Sequence, residues 1–406
     1  MYKVAACCVE NSWGPGLSQN GALAIPSSLI CGGSGVRRVL ASPSRADAAT
    51  ERLFSLKHRG IRSLAALAAA SAVLVACSPA SDGSQIRGSI TAVGTGIQSA
   101  AIAAWRNGWV KDFPDTSLSF SPDGASVGIK ALQAGQAHFA AVDGPLSAAD
   151  AEAARQSCGP DGAFSVPVAV VPVGVAFNLP LVKNLKLSPD VLAAIYSGDI
   201  TAWDDAEIER LNPEADLPDT EIVPLRAAEK SALTAATTAY LQRGGWEDAG
   251  NTWPESTAGE EVPRYTDLGN EVDDTAGSIA FMDKAAIGTR FDTALLDFGR
   301  GFVRINEDTL GLSIAAGSTA TGPGGSVVFT TPEAPAPGYG LTTVTYQAFC
   351  SEYQNEPLAR LVRSWGEFVL GDGGQGNSSY FAGVSTPGKD ALEQSRRRIA
   401  EITAAR

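Results

Sequence analysis

Asp143 is the residue whose type and position most invite chemistry. It ends the run His138-Phe139-Ala140-Ala141-Val142, which reads as a strand, so it stands where a strand opens into a loop. A carboxylate there can form a turn or cap a helix, and it stands where parallel α/β sheets hold their ligands. Two stretches of small residues reach the same position. One is the turn Gly94-Thr95-Gly96, followed by Ile97 at the start of a helix. The other is the loop 121–128, which holds Ala125 and Ser126. Arg226 follows a further strand, Ile222 to Leu225, and the helix read over Ala227 to Leu241 carries Ser231 and Ala232 near its start. Helix N-termini present unpaired N–H groups and an Arg presents a fork of donors, so any anion bound by this chain would have to be held by local donors of this kind.

Hydrolytic or redox chemistry has little to work with. The chain holds two histidines, His58 and His138, which leaves little room for a Ser-His-Asp triad or a His-rich metal site. No nucleophile stands beside a base and no metal-ligand cluster is visible, so the reading is of a binding protein with no catalytic residue, no metal and no cofactor. Net charge is −13 over 406 residues. Residues 1–77 hold eight Lys/Arg and three Asp/Glu, which leaves 23 basic and 41 acidic residues, a net of −18, for the rest. Such a surface repels nucleic acid and also a free anion at long range, so an anion site must rely on local donors.

The elements that position these residues alternate. Arg87 to Val93, Ser117 to Phe120 and His138 to Val142 read as strands; Ile97 to Val110 and Ile129 to Ala134 read as helices between them. Alternation of this kind predicts a parallel α/β sheet, whose ligands sit beyond the C-terminal strand ends. Val166 to Asn178 is strongly apolar and contains Pro167 and Pro172; it reads as a strand crossing between two lobes. Further on come a helix over Ser188 to Ser197, a strand over Gly277 to Met282, and a Gly/Pro/Thr-rich turn region over 315–340. A strand over Gly340 to Phe349 returns to the first lobe, and helices over Pro357 to Leu370 and Lys389 to Ala405 close the chain.

The N-terminal stretch reads as a leader. Lys57, Arg59 and Arg62 precede the apolar run Leu64 to Ala76, which ends in Leu74-Val75-Ala76-Cys77 and a polar linker over 78–84. This pattern is similar to a bacterial lipoprotein signal over 57–77, with Cys77 as the lipidated residue and contact with the membrane through that anchor only. Residues 1–56 are expected to be an over-extended start or a non-structural leader. Cys158 and Cys350 then remain as an even pair in an exported protein, either disulfide-bonded or two buried thiols.

Several stretches together resemble the phosphate-binding protein of bacterial phosphate-specific ABC transporters. They are Gly135 to Ser147, Val173 to Pro180, Leu192 to Pro218 with its Ile195-Tyr196-Ser197-Gly198-Asp199-Ile200-Thr201-Ala202-Trp203 core, and Thr275 to Phe281. The resemblance implies an α/β fold of the periplasmic-binding-protein-like type II, a two-lobed clamshell with hinge strands. The first lobe would run over 85–171 plus 340–406 and the second over 172–339. It further implies a lipid-anchored monomer on the extracytoplasmic face of the cell membrane, capturing phosphate or a related oxyanion for ABC permease subunits. A sensor or partner-binding lipoprotein on the same scaffold is the alternative.

Carried over by position, the family's Asp falls on Asp143, its Arg on Arg226 and its helix-start Ser on Ser231, with Ala232 beside it. Its first-loop hydroxyl falls on Gly96, between Thr95 and Ile97; its second-loop Ser falls on Ala125, next to Ser126; and its Gly-Thr pair becomes Ala232-Leu233, with Thr234 following. Three hydroxyl donors are thus absent or displaced. The departure predicts weak phosphate binding, or preference for a larger oxyanion beside Gly96 and Ala125.

Overall fold

The computed structural model describes residues 85–332 and 338–405. The leader, Cys77 and the linker as far as residue 84 lie outside the described residues. The first lobe opens with strand β1 (Gly88–Gly94), helix α1 (Ser99–Asp112), strand β2 (Thr116–Ser121), helix α2 (Ala125–Gln133) and strand β3 (Phe139–Val142). Strand β4 (Ala163–Phe177) follows. The second lobe adds helix α3 (Pro189–Ser197), strand β5 (Val223–Ala227), helix α4 (Ala232–Gln242), strand β6 (Glu260–Val262) and strand β7 (Ser278–Asp283). Strands β8 (Ser318–Thr321) and β9 (Val327–Thr330) form a hairpin. Strand β10 (Thr342–Cys350) and helices α5 (Glu356–Leu370), α6 (Asp372–Ala382) and α7 (Lys389–Ala400) complete the chain.

The main sheet runs in the order β2-β1-β3-β10-β4-β7-β5-β6. β1 pairs in parallel with β2 and β3, whereas β10 lies antiparallel between β3 and β4. β4 is buried along all 15 of its residues and belongs to both lobes. Its Ala163–Pro172 stretch pairs with β10, and from Val173 it pairs with β7. The two prolines, which cannot donate to a ladder, sit where the ladder can spare a donor. Pro167 faces a register shift at Thr345/Tyr346, and Pro172 ends the pairing with β10 just before the strand changes partner.

The first-lobe core is aromatic. Trp109 meets Trp365 edge-on at 5.4 Å, Phe139 stacks on Trp365 at 5.4 Å, and Phe139 stacks on Phe349 at 5.7 Å. Trp203, Tyr196 and Phe281 fill the second. Cys158 and Cys350 are disulfide-bonded across a sequence separation of 192.

Most expected elements form within a few residues of their expected bounds, with four differences. First, α2 begins at Ala125, so Ala125 and Ser126 form its first turn rather than a loop. Second, Arg226 lies inside β5, and α4 starts only at Ala232, because Ser231 caps it by accepting from the Thr234 amide at 3.0 Å. Third, the glycine-rich stretch 372–382 is helical. It packs on α1 where Gly108 leaves room, since a Cβ there would lie 2.2 Å from Asn377 Nδ2. Fourth, the expected second lobe over 172–339 takes in the β8–β9 hairpin, which packs on the first lobe. Phe329 Cε2 lies 2.9 Å from where a Cβ on Gly388 would stand, the Tyr346 hydroxyl bonds to the Phe329 backbone, and the Ser326 hydroxyl accepts from the Ser165 amide at 2.9 Å. Among the described residues no helix is long and apolar enough to cross a membrane.

Candidate functional site

The first-lobe side of the site is built from strand ends drawn close together. The Thr95 amide donates to the Ala141 carbonyl at 2.9 Å, and the Gly124 amide donates to the Gly94 carbonyl at 2.9 Å. A Cβ on Gly94 would stand 1.9 Å from the Ala141 oxygen, so only glycine fits there. Gly96–Gln98 forms a single 3-10 turn ahead of α1, capped by the Thr95 hydroxyl, which accepts from the Ile97 amide at 3.4 Å. The buried Gln98 anchors this turn from below. Its Nε2 donates to the Val142 carbonyl at 3.2 Å and the Tyr346 carbonyl at 2.8 Å, and Gln347 behind it accepts from the Trp365 indole at 2.9 Å. The end of β3, and hence Asp143, is tied to the first loop by this buried polar ladder.

The second lobe approaches with the start of α4 and the segment around Tyr265. The lobes touch: a Cβ on Gly96 would meet Thr266 Cγ2 at 3.3 Å and the Tyr265 ring at 3.6 Å. Tyr265 is held in place by the buried Asp283. Its hydroxyl donates to Asp283 Oδ2 and accepts from the Asp283 amide at 2.9 Å. Asp283 also caps the next short helix by accepting from the Ala285 and Ala286 amides at 2.8 and 3.1 Å. The Tyr265 amide in turn donates to Glu229 Oε1 at 3.3 Å.

Asp143 sits at this meeting point. Burial pushes its carboxyl up to about 6, the Thr95 hydroxyl and the Ala232 amide across the cleft pull it back, and the Glu229 charge adds to the rise. Its Oδ1 is buried and has no hydrogen-bond partner. Glu229 is raised as well, chiefly by burial, with Tyr265 N–H and Arg264 lowering it and Asp267 and Asp123 raising it. Thus Thr95, Gly96, Ile97, Asp143 and Ala232 lie together in the fold, and Glu229 and Tyr265 lie beside them.

Other expected residues are placed differently. Ser231 spends its hydroxyl on Thr234, both amide and side chain, at 3.0 Å each. Leu233 and Thr234 are buried. Ser126 is exposed on the first turn of α2, beside the half-buried Ala125. Arg226 donates from Nη1 to the Ala258 carbonyl at 3.2 Å, and its Nε is buried without a partner. Its charge reaches Tyr196 rather than Asp143 among the groups that tune those side chains. Gln98, Gln347, Tyr265 and Asp283 carry no sequence signal of their own, because each acts through partners distant along the chain.

Comparison with known proteins falls on the same architecture. Residues 79–372 match the PBP superfamily domain. Phosphate-binding protein PstS 3 of Mycobacterium tuberculosis is 28% identical over 304 residues, covering 72% of this chain and 81% of that protein. Phosphate-binding protein PstS of Methanocaldococcus jannaschii is 30% identical over 230 residues, 53% of this chain and 59% of that one. A crystal structure of a phosphate-binding protein from Stenotrophomonas maltophilia is 18% identical, with a TM-score of 0.58 over 76% of this chain and 93% of the other; at that identity the likeness speaks to the fold alone.

Proposed function

Because the chain belongs to the PBP superfamily, we propose that it is the solute-binding subunit of an ABC importer, capturing phosphate or a related small oxyanion outside the cytoplasm. The observation that carries this reading is the unpartnered Oδ1 of Asp143, buried where two lobes meet beside the N-terminus of α4. A buried acceptor without a donor is costly, and a protonated oxyanion supplies the donor. The same carboxylate disfavours sulfate, which has no proton to give. Helix N-termini at Gly96, Ala125 and Ala232 supply amide donors. The relatives named as phosphate-binding proteins support the same ligand class. Cys77 anchors the protein to the membrane by lipid, and the mature chain acts as a monomer that delivers its cargo to permease subunits. No step of this role requires bond making, so it is not an enzyme.

A sensor or partner-binding lipoprotein on this scaffold is favoured by one observation, the engagement of the Ser231 hydroxyl within its own helix cap. Calorimetric titration of the mature domain with phosphate decides between the two. Saturable binding that Asp143→Ala abolishes supports capture; silence toward phosphate, phosphonates, arsenate and molybdate, in wild type and variant alike, moves the protein to the second role.

A further inference from the structure

Glu229 occupies a place in the cleft that the reading above does not use. It belongs to the short loop between β5 and α4, where Ser231 starts the helix. Its Oε1 takes the Tyr265 amide at 3.3 Å, and the Tyr265 ring lies against the Gly96 loop of the opposite lobe. It is therefore fixed at the mouth of the anion seat rather than free in solvent. Its charge bears on Asp143 of the first lobe, and it in turn feels Asp123 of that lobe and Arg264 and Asp267 of its own. Arg264 is already engaged by Asp267, at 3.0 Å in both the hydrogen bond and the ion pair. The cleft thus brings the charges of Asp143, Asp123 and Glu229 to bear on one another, while Arg264 is held by Asp267. A dianion entering this space meets like charge from both lobes.

Resting on the oxyanion reading, we propose that Glu229 is a second proton acceptor of the site, so that the protein takes its oxyanion as a monoanion carrying two protons, one directed to Asp143 and one to Glu229. The ligand class is then dihydrogen phosphate or an equally protonated analogue, and Glu229 is a specificity-determining residue. The two carboxylates stand on opposite lobes, so the doubly protonated ligand also bridges the charges that oppose closure. An oxyanion with one proton satisfies Asp143 and leaves Glu229 facing a bare oxygen. Phosphate loses its second proton around neutral pH, so the preference is readable as a proton taken up on binding.

The test is calorimetric titration of inorganic phosphate into the mature domain from about pH 7 to about pH 8.5, for wild type, Glu229→Gln and Asp143→Asn. With wild type, affinity falls by about tenfold per pH unit at the alkaline end, the linkage slope for uptake of one proton. Glu229→Gln, whose amide can donate to the dianion, loses less than about threefold over the whole range. The double variant Asp143→Asn/Glu229→Gln gains measurable sulfate binding, whereas the Glu229→Gln single variant still rejects sulfate through Asp143. Wild type and Glu229→Gln with the same alkaline slope overturn the role of Glu229 while leaving phosphate capture intact. Absence of phosphate binding in wild type at every pH overturns the capture reading itself, and with it this one. Melting temperatures of the variants at pH 8 no lower than that of wild type confirm that any affinity change is not unfolding.

Discussion

The two sides of the cleft are built from different materials. On the first lobe, the loop 94–98 is uncharged and buried, and amide and carboxamide hydrogen bonds tie it to β3 and β10. On the second lobe, the facing wall carries Glu229, Arg264 and Asp267, with Tyr265 pinned by Asp283. One side is a rigid seat whose geometry depends on packing. The other sets Glu229, Arg264 and Asp267 opposite the single buried carboxylate of Asp143, and single substitutions there can retune the ligand without disturbing the core. The contrast teaches that change in ligand preference is cheapest on the second-lobe wall.

The largest expected effect lies far from the cleft and checks that the seat is carried by the first-lobe core. Cys350 ends β10 beyond Phe349, which pairs with Phe139 at the opposite end of β3 from Asp143. Replacing both Cys158 and Cys350 by Ser removes a long loop constraint worth up to about 5 kcal/mol in the chain-entropy model. Denaturant unfolding should show that loss while phosphate affinity measured well below the melting temperature stays within a factor of two or so. A large affinity loss instead would mean that the two ends of the lobe are coupled.

Gln98→Ala comes next. It strands the Val142 and Tyr346 carbonyls and unties Gln347, at a cost of about 2–4 kcal/mol. Unlike the disulfide variant, it should weaken phosphate binding along with stability, because Val142 immediately precedes Asp143. Unchanged affinity in calorimetry would show that the polar ladder stabilises the core without setting the site.

Asp143 itself links stability to pH. Its folded-state value of about 6 lies above that of an exposed carboxylate, so folding favours the protonated form. The stabilisation is therefore complete at low pH and is lost as pH rises from about 4 to about 6. The linkage ceiling for such a shift is about 3 kcal/mol, reduced to about 1–2 kcal/mol for a group not fully shielded from water. Asp143→Asn should flatten that part of the stability–pH curve of the ligand-free domain and leave it more stable at neutral pH. A curve identical to wild type would show that the carboxyl titrates normally.

The smallest effect sharpens the contrast from the other side. Asp267→Ala removes an exposed ion pair with Arg264 worth less than about 1 kcal/mol. Melting temperature should hardly move, but Arg264 is released toward Glu229, so phosphate affinity above neutral pH should rise. A stability loss with no change in binding would place this pair in the scaffold rather than the cleft wall.

Much of the scaffold was readable from local pattern. The strand ending at Val142, the all-apolar run of β4 and the return strand β10 follow from alternation and composition, and the cysteine pair follows from export and count. Boundaries near the site were harder. Ala125 reads as loop because Asp123-Gly124 is a turn signal, yet Gly124 at φ 98° starts a helix immediately. The α6 helix was hidden by its glycines, which local propensity penalises and close packing on α1 requires.

The sequence by itself determined which residue types stand near the strand ends and the helix start: the Asp, the small loop residues, the Arg and the Ser. Those follow from neighbours a few positions away. The resemblance further implied that hydroxyls of the family are missing or displaced at Gly96, Ala125 and Leu233. Only the tertiary structure decided that Glu229 faces Asp143, that Tyr265 rests on Gly96, and that Ser231 is consumed by its own helix cap. The physical reason is that these contacts join residues tens to hundreds of positions apart across two lobes. The energies that set them, burial of a carboxylate and repulsion between like charges, depend on distance in space and leave no trace in spacing along the chain.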